Sequence, residues 1–384
     1  MIFHTLIQKA KEAAAMRFNF NMPTKIVMDD DCVAKNAALL EPLGKRALIV
    51  TGAHSAKACG ALDDLCAALS ANSQSYAVFD RVMANPTVDC VYEGAAAAKN
   101  EEADFVVAVG GGSPMDAGKA MAMLACVDIP EDKIFGGGYT KRLPFCCIPT
   151  TAGTGSEVTP YAILNNDTAQ TKTSIAAPAL FPDIALLDSK YLKSLTKSTM
   201  TNTVIDALSH SIEGFISNRA NAVSDILALE AIRAIGERLT ALAEELLTDE
   251  DRAKLLYAST LSGMVISHTG TTAVHSMGHT LTYFKHIDHG RANGLLLAEF
   301  LKFTEKKRAD RVAPVLRAAG FGSTEEFGSM LDSLLGDREE ISAEEIAKFA
   351  SISINTKNIA NCIIAPSEQE LAELYGLSLG TRSV

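Results

Sequence analysis

The sequence predicts an α/β dinucleotide-type domain, with a parallel sheet of Rossmann-like build, followed by an all-α domain. Three observations predict it. Apolar, β-rich runs alternate with helical patterns through the first half of the chain. From about Thr199 onward few β-rich runs remain. A length of 384 residues exceeds one ordinary core and suits two. The first domain is expected over 1–188 and the second over 189–384, with the boundary near "IALLDSKYLKSL".

The elements justify this in order. "KRALIVTG" (45–52) reads as a strand running into a glycine turn, and "ALDDLCAALS" (61–70) has helical spacing. "SYAVFDRV" (75–82) is a strand, "GAAAAKNEEA" (94–103) helical, and "DFVVAVGGGS" (104–113) a strand meeting three glycines. "PMDAGKAMAMLA" (114–125) is helical again and "LPFCCIPTT" (143–151) a further strand. Continuous apolar strands separated by helices imply a parallel sheet covered on both faces. In the second half "TVIDALSHSIEGFIS", "DILALEAIRAIGERLTALAEELL" and "DRAKLLYASTLSGMVISH" all carry helical periodicity.

Composition narrows the function classes. Hydrophobic residues make up 48% of the chain, enough for a sizeable core. A net charge of −11 argues against nucleic acid or an anionic membrane as the main partner. Eight scattered cysteines without a C-x-x-C pair read as reduced, buried thiols of a cytoplasmic protein. The start, "MIFHTLIQKAKEAAAMRFNF", lacks the pattern of a secretory signal, although a short amphipathic leader is compatible with it. No run of about 18 uninterrupted apolar residues suggests a membrane span.

Two loops follow strands and have the chemistry of a phosphate site. In the first, Gly110, Gly111, Gly112 and Ser113 lead into a helix opened by Pro114. Glycines let a backbone approach a ligand closely, and the helix start offers free amides to an anion. A plain tight turn is the alternative. In the second, "PTTAGTGSE" (149–157), Thr150, Thr151 and Thr154 can bond a ribose, a phosphate or a carboxamide, or merely cap a helix. Two such loops at the ends of parallel strands point to a dinucleotide in the crevice. A third turn bears on which one. An acid near a strand end often accepts from the ribose 2′-OH. Here that place is Gly52, with Ser55 and Lys57 close behind, which favours NADP(H) over NAD(H).

The remaining signal is histidine. "HSMGHTLTYFKHIDHG" (275–290) holds four of the chain's eight, and a buried histidine without a partner is costly. Asp206 and His210 are four residues apart in a helical pattern, hence on one face, and His275 and His279 share that relation. With His289, the set Asp206, His210, His275 and His289 supplies one carboxylate and three imidazoles. That donor set suits Fe(II), Zn(II), Co(II) or Ni(II). Ser276 stands where a metalloprotease H-E-x-x-H motif needs glutamate.

"GGGSPMDAGKA", "PTTAGTGSEVTPYAIL", "DALSHSIEGFIS" and "HSMGHTL…DHGRANGLLL" occur in order. Through them the chain resembles the iron-containing alcohol dehydrogenases over nearly its whole length. The resemblance implies hydride transfer between a nicotinamide cofactor and a small alcohol, diol or aldehyde. It implies Asp206, His210, His275 and His289 as ligands of Fe(II), with Zn(II) compatible with the same donors. It implies His279 near the reacting centre, where it is a candidate proton relay. Asp116, Asn85 and Lys172 fall where the family contacts its cofactor, and His268 and His286 match no ligand position. A homo-oligomer is also implied. There are departures: Asp288 replaces the usual proline before the last ligand, "LLLAEF" stands for the usual "LLP", and the early strand ends in "VMDDD". Asp288 is expected to support His289 as a second carboxylate or to alter substrate charge preference. Lyases of the dehydroquinate-synthase type share the architecture but need a different ligand set. An NAD-dependent glycerol or hydroxy-acid dehydrogenase is the nearer alternative.

Overall fold

The computed structural model describes residues 18–381. The leader reading falls on residues outside that range. Six strands form one parallel sheet: β1 (Lys25–Met28), β2 (Arg46–Thr51), β3 (Ser75–Phe79), β4 (Phe105–Gly110), β5 (Phe145–Pro149) and β8 (Ile184–Leu187), in the order β1-β8-β5-β4-β2-β3. Helices α1 (Ala61–Ala71), α2 (Val88–Asn100) and α3 (Gly112–Leu124) connect them. Side-chain alternation explains why the central strands read as unbroken apolar runs. Leu48 and Val50 of β2, Val106 and Ala108 of β4, and Phe145 and Cys147 of β5 enter the core on one face. Ala47 and Ile49, Phe105, Val107 and Val109, and Cys146 and Ile148 enter the core on the other. A strand buried on both faces has no polar phase to show. The thiols are less uniformly buried than expected, since Cys126 is exposed and Cys59 and Cys66 are half-buried.

After β3 the chain crosses back over β2 to reach β4, so the strand order reverses between β2 and β4. Such a switch point opens a crevice at the carboxyl ends of the strands. Thr51 of β2 pairs with Val109 of β4, which brings Gly52 level with Gly110.

An antiparallel hairpin, β6 (Tyr161–Asn166) and β7 (Thr171–Ala176), stands outside this sheet. It was not anticipated from the sequence. Its strands are half-polar and only six residues long, so neither strong alternation nor a long apolar run marks them.

Among the described residues the second half is helical apart from a two-residue parallel pairing of Glu340–Ile341 with Gly380–Thr381 and an isolated bridge between Ser217 and Cys362. Its helices are α4 (Lys197–Phe215), α5 (Ala222–Gly236), α6 (Asp249–Thr269), α7 (Ala273–Lys285), α8 (His289–Ala319), α9 (Thr324–Leu335), α10 (Ala343–Ser353) and α11 (Glu368–Ser378). α4 starts at Thr196, whose side chain accepts from Thr199 N–H, and all but one residue from Met200 to Phe215 is buried. A helix buried nearly all round, polar residues included, lies at the centre of its domain. α8 crosses α4 at Gly290, where a Cβ would lie 1.8 Å from the Asn202 carbonyl oxygen. Only glycine permits that approach, and it brings the start of α8 against Asp206. None of the described helices is long and apolar enough to cross a membrane.

Candidate metal centre and cofactor cleft

Three helices converge on Asp206. α4 supplies Asp206 and His210, α7 supplies His275 and His279, and α8 opens with His289. Asp206, His210 and His275 are buried, and their donor atoms all lie within 4.8 Å of one another. From Asp206 Oδ1, Nε2 of His210 is 3.9 Å away and Nε2 of His275 and of His289 each 3.7 Å. The His279 ring flanks the group, its centroid 4.9 Å from His289 and 5.9 Å from His275.

Two side chains missed by the sequence reading complete the cluster. Asn293 Nδ2 donates to Asp206 Oδ1 at 2.9 Å and lies 3.1 Å from His275 Nε2 and 3.3 Å from His289 Nε2. Glu213, fully buried, accepts from His275 Nδ1 through Oε2, and from Thr272 N–H (2.8 Å) and Oγ1–H (2.6 Å) through Oε1. A signal existed for both. Glu213 continues the Asp206–His210 face by a further turn, and Asn293 lies one turn beyond His289.

Burial opposes the charge on Asp206, but the surrounding imidazoles hold its carboxyl well below the usual carboxylate range. Burial likewise opposes an imidazolium at His275; the Glu213 charge and the bonds to Asp206 and Glu213 outweigh it and push His275 up to about 9. His210, His279 and His289 shift down, first through burial; for His279 and His289 the Lys172 charge adds to it. One carboxylate held ionised beside His210 and His289 held neutral, with His275 giving up its proton to the metal, is a donor set for a divalent transition metal. The buried Nδ1 of His289 has no hydrogen-bond partner. The expected support from Asp288 is therefore corrected. Its exposed carboxylate accepts from Asn202 Nδ2 at 2.8 Å instead of turning to His289.

The glycine turn and the threonine loop lie against each other. Gly110 has φ +151°, and a Cβ there would lie 2.6 Å from Pro114 Cγ. A Cβ on Gly112 would lie 2.6 Å from Thr154 Cγ2, and one on Gly111 3.2 Å from Thr151 Oγ1. The cradle thus exists only without side chains, and Thr151 Oγ1 is buried with no partner. Thr150 N–H donates to the Gly110 carbonyl at 2.9 Å, fixing the two loops edge to edge. Gly153 in the same loop packs on Thr203 of α4, which carries Asp206 and His210. Both the bare cradle and the unpartnered hydroxyl fit a dinucleotide.

Asn85 joins the rim, its N–H donating to Ser113 Oγ at 3.2 Å. Ser55 and Lys57 are exposed on the short helical turn Ser55–Ala58, and a Cβ on Gly52 would lie 3.2 Å from the Val82 carbonyl. Lys172 is half-buried on β7. Asp116 departs from expectation. It faces inward, Oδ1 accepting from Ser156 Oγ (2.5 Å) and Oδ2 from Ile163 N–H (3.1 Å), so no oxygen is left pointing at the cradle. His268 is structural, stacked on Phe20 with centroids 4.1 Å apart, and His286 ends α7 in a left-handed conformation.

A dinucleotide-type sheet meeting a helical part that gathers one carboxylate and three imidazoles against the threonine loop is the arrangement expected of a metal-dependent oxidoreductase. The "Iron-containing alcohol dehydrogenase" family matches residues 23–189, and the "Fe-containing alcohol dehydrogenase family, C-terminal" matches residues 200–378. The chain belongs to the iron-containing alcohol dehydrogenase family. It is 31% identical over 304 residues to the NADPH-dependent butanol dehydrogenase of Clostridium saccharobutylicum, covering 78% of this chain and 77% of that protein. It is 30% identical over 281 residues to the lactaldehyde reductase of Escherichia coli K12, covering 72% of each. The crystal structure of an iron-containing alcohol dehydrogenase from Thermotoga maritima superposes with a TM-score of 0.88 at 36% identity, over 94% of this chain and 99% of that one.

Proposed function

We propose that the chain is a metal-dependent alcohol dehydrogenase or aldehyde reductase that moves hydride between NADP(H) and a small alcohol, diol or aldehyde. The observation that carries this is the Asp206, His210 and His275 group, adjoined by His289 and abutting the threonine loop. Asp206, His210, His275 and His289 would hold the metal, Fe(II) by family and Zn(II) by donor chemistry. Gly110, Gly111, Gly112 and Ser113 would cradle the pyrophosphate, and Thr150, Thr151, Thr154, Asn85 and Lys172 would line the rest of the dinucleotide. Gly52, Ser55 and Lys57 would leave room and donors for a 2′-phosphate. The name of the butanol dehydrogenase relative supports that preference. We also propose a cytoplasmic homo-oligomer, with its two domains divided at about residues 188 and 189.

When bound, the metal supplies Lewis acidity toward the substrate oxygen, and the nicotinamide carries the hydride. The chain's own groups do the rest. Glu213 holds His275 Nδ1–H, which leaves Nε2 as the donor atom. His279, half-buried at the edge of the cluster and kept neutral, can take a proton at one ring nitrogen while releasing one at the other. α4 and α6 pack on the threonine loop at Gly153 and Gly155, which would hold substrate and nicotinamide in a fixed relative orientation.

The test is anaerobic. Fe(II)-loaded protein receives NADPH or NADH with propanal, butanal or lactaldehyde, and loss of reduced cofactor is followed. Turnover with NADPH ahead of NADH is expected. Faster turnover with NADH overturns the cofactor preference alone. No turnover in protein that retains its metal overturns the reading.

A further inference from the structure

Asp116 and Lys119 form a buried ion pair whose geometry does not suit a ligand site. They lie one turn apart on α3, Oδ1 to Nζ 3.8 Å. Lys119 has no exposed surface. Its Nζ donates to Ser156 Oγ (2.7 Å), Thr159 Oγ1 (3.2 Å) and the Tyr161 carbonyl (2.8 Å). An ammonium has three protons, and three acceptors take them. The Asp116 oxygens are engaged by Ser156 and Ile163 as described.

The partners share a purpose. Ser156 belongs to the threonine loop, while Tyr161 and Ile163 present their backbone groups along one edge of β6. Asn165 N–H on that edge donates to the Pro86 carbonyl at 2.9 Å, beside Asn85. The other edge pairs with β7, where Asn165 stands opposite Lys172. The ion pair therefore takes the place of a neighbouring strand for β6. β7 also packs against α7, the helix of His275 and His279, and Lys172 on it acts electrostatically on Asp206, His279 and His289. A buried charge pair is a poor source of stability but can fix register.

We propose that Asp116 and Lys119 are positioning residues: without touching the cofactor, they lock the threonine loop and the β6–β7 hairpin to α3, and so hold Lys172 at the metal cluster. This rests on the hydride-transfer reading above. It assigns Asp116 a role other than the cofactor contact implied by resemblance.

The experiment uses the Fe(II)-loaded enzyme with NADPH and butanal, in wild type, in Asp116→Asn with Lys119→Met, and in Ser156→Ala. The double variant removes both charges, so neither is left buried alone, and Ser156→Ala is the milder lesion should the double variant fold poorly. NADPH dissociation constants by fluorescence titration should rise about threefold as the threonine loop loosens, while kcat at saturating NADPH falls about tenfold or more, as misplacement by about 1 Å can cost up to about 100-fold. Amide hydrogen exchange over residues 161–176 should speed up. Lys172→Met should lower kcat by a similar factor and add little when combined with the double variant, since residues acting as one unit are not additive. A dissociation constant raised about tenfold with kcat and exchange unchanged would make Asp116 a direct cofactor ligand and overturn the proposal. Unchanged kcat with unchanged exchange would overturn it too. If wild type shows no turnover, the functional reading fails by itself. Exchange then still decides the proposal: faster exchange over residues 161–176 upholds the lock, and unchanged exchange overturns it.

Discussion

Replacing Glu213 with glutamine tests how the metal centre is prepared. Glutamine matches glutamate in volume, so packing is preserved and only charge and donor pattern change. Glu213 now accepts from His275 Nδ1 with one oxygen and from Thr272 N–H and Oγ1–H with the other. A glutamine side chain has one accepting oxygen. If it serves Thr272, the amide N–H faces His275 Nδ1. The ring must then place its proton on Nε2, which cannot ligate. If it serves His275, the Thr272 donors meet another donor. Either way one arrangement is lost. Removing such an outer partner costs about 10- to 100-fold in metal affinity, or about 1.4–2.7 kcal/mol. Burial alone would lower the His275 pKa, yet the Glu213 charge and the bonds to Asp206 and Glu213 push it up to about 9, so the ring feels the carboxylate strongly. The assay is chelator competition with Co(II) or Zn(II), read by bound metal per chain. A Glu213→Gln protein with affinity within about twofold of wild type, while Asp206→Ala loses the metal, would refute the reasoning.

Three further outcomes follow from the same geometry. Gly52→Asp should shift preference toward NADH by about tenfold or more in the ratio of kcat/KM values, because the carboxylate would repel a 2′-phosphate. Its Cβ must settle 3.2 Å from the Val82 carbonyl, so melting should be checked alongside, and an unchanged ratio in folded protein removes Gly52 from the argument. Gly112→Ala, whose Cβ would meet Thr154 Cγ2 at 2.6 Å, should raise the cofactor dissociation constant about tenfold with little effect on metal content. In metal-free protein, His275 has a folded pKa raised to about 9, so its contribution is fully present below pH 6.5 and lost as pH rises through 9. Urea unfolding at pH 6.5 and 9.5 should show that loss in wild type, and a smaller one in Glu213→Gln.

What the sequence made legible follows from periodicity. β2, β4 and β5 stood out because each is buried on both faces, and α4 because Asp206 and His210 interrupt an otherwise apolar helix. β6 and β7 did not, since half-exposed strands separated by "DTAQ" carry a pattern as close to a loop as to a hairpin. Glu213 and Asn293 were within reach of the spacing rule already applied to Asp206 and His210. Both act behind the ligands, Glu213 on His275 and Asn293 on Asp206, and a spacing rule alone does not mark such partners. Asp116 shows where one sequence stops informing. Its position after a glycine turn suggests the cofactor, yet its bonds go to Ser156 and Ile163, 40 and 47 residues further on. Only the folded arrangement of the loop and hairpin makes that choice. Asp288 is similar: neighbouring His289 in sequence, it bonds Asn202, 86 residues away.

The measurement that tests the central claim most directly is a titration of metal-stripped protein with Fe(II) under anaerobic conditions, following NADPH oxidation by butanal. The account predicts no turnover at the start, a linear rise, and a plateau at one equivalent per chain, with no rise in Asp206→Ala. Full turnover in the metal-stripped protein, or an equal rise in Asp206→Ala, would contradict it.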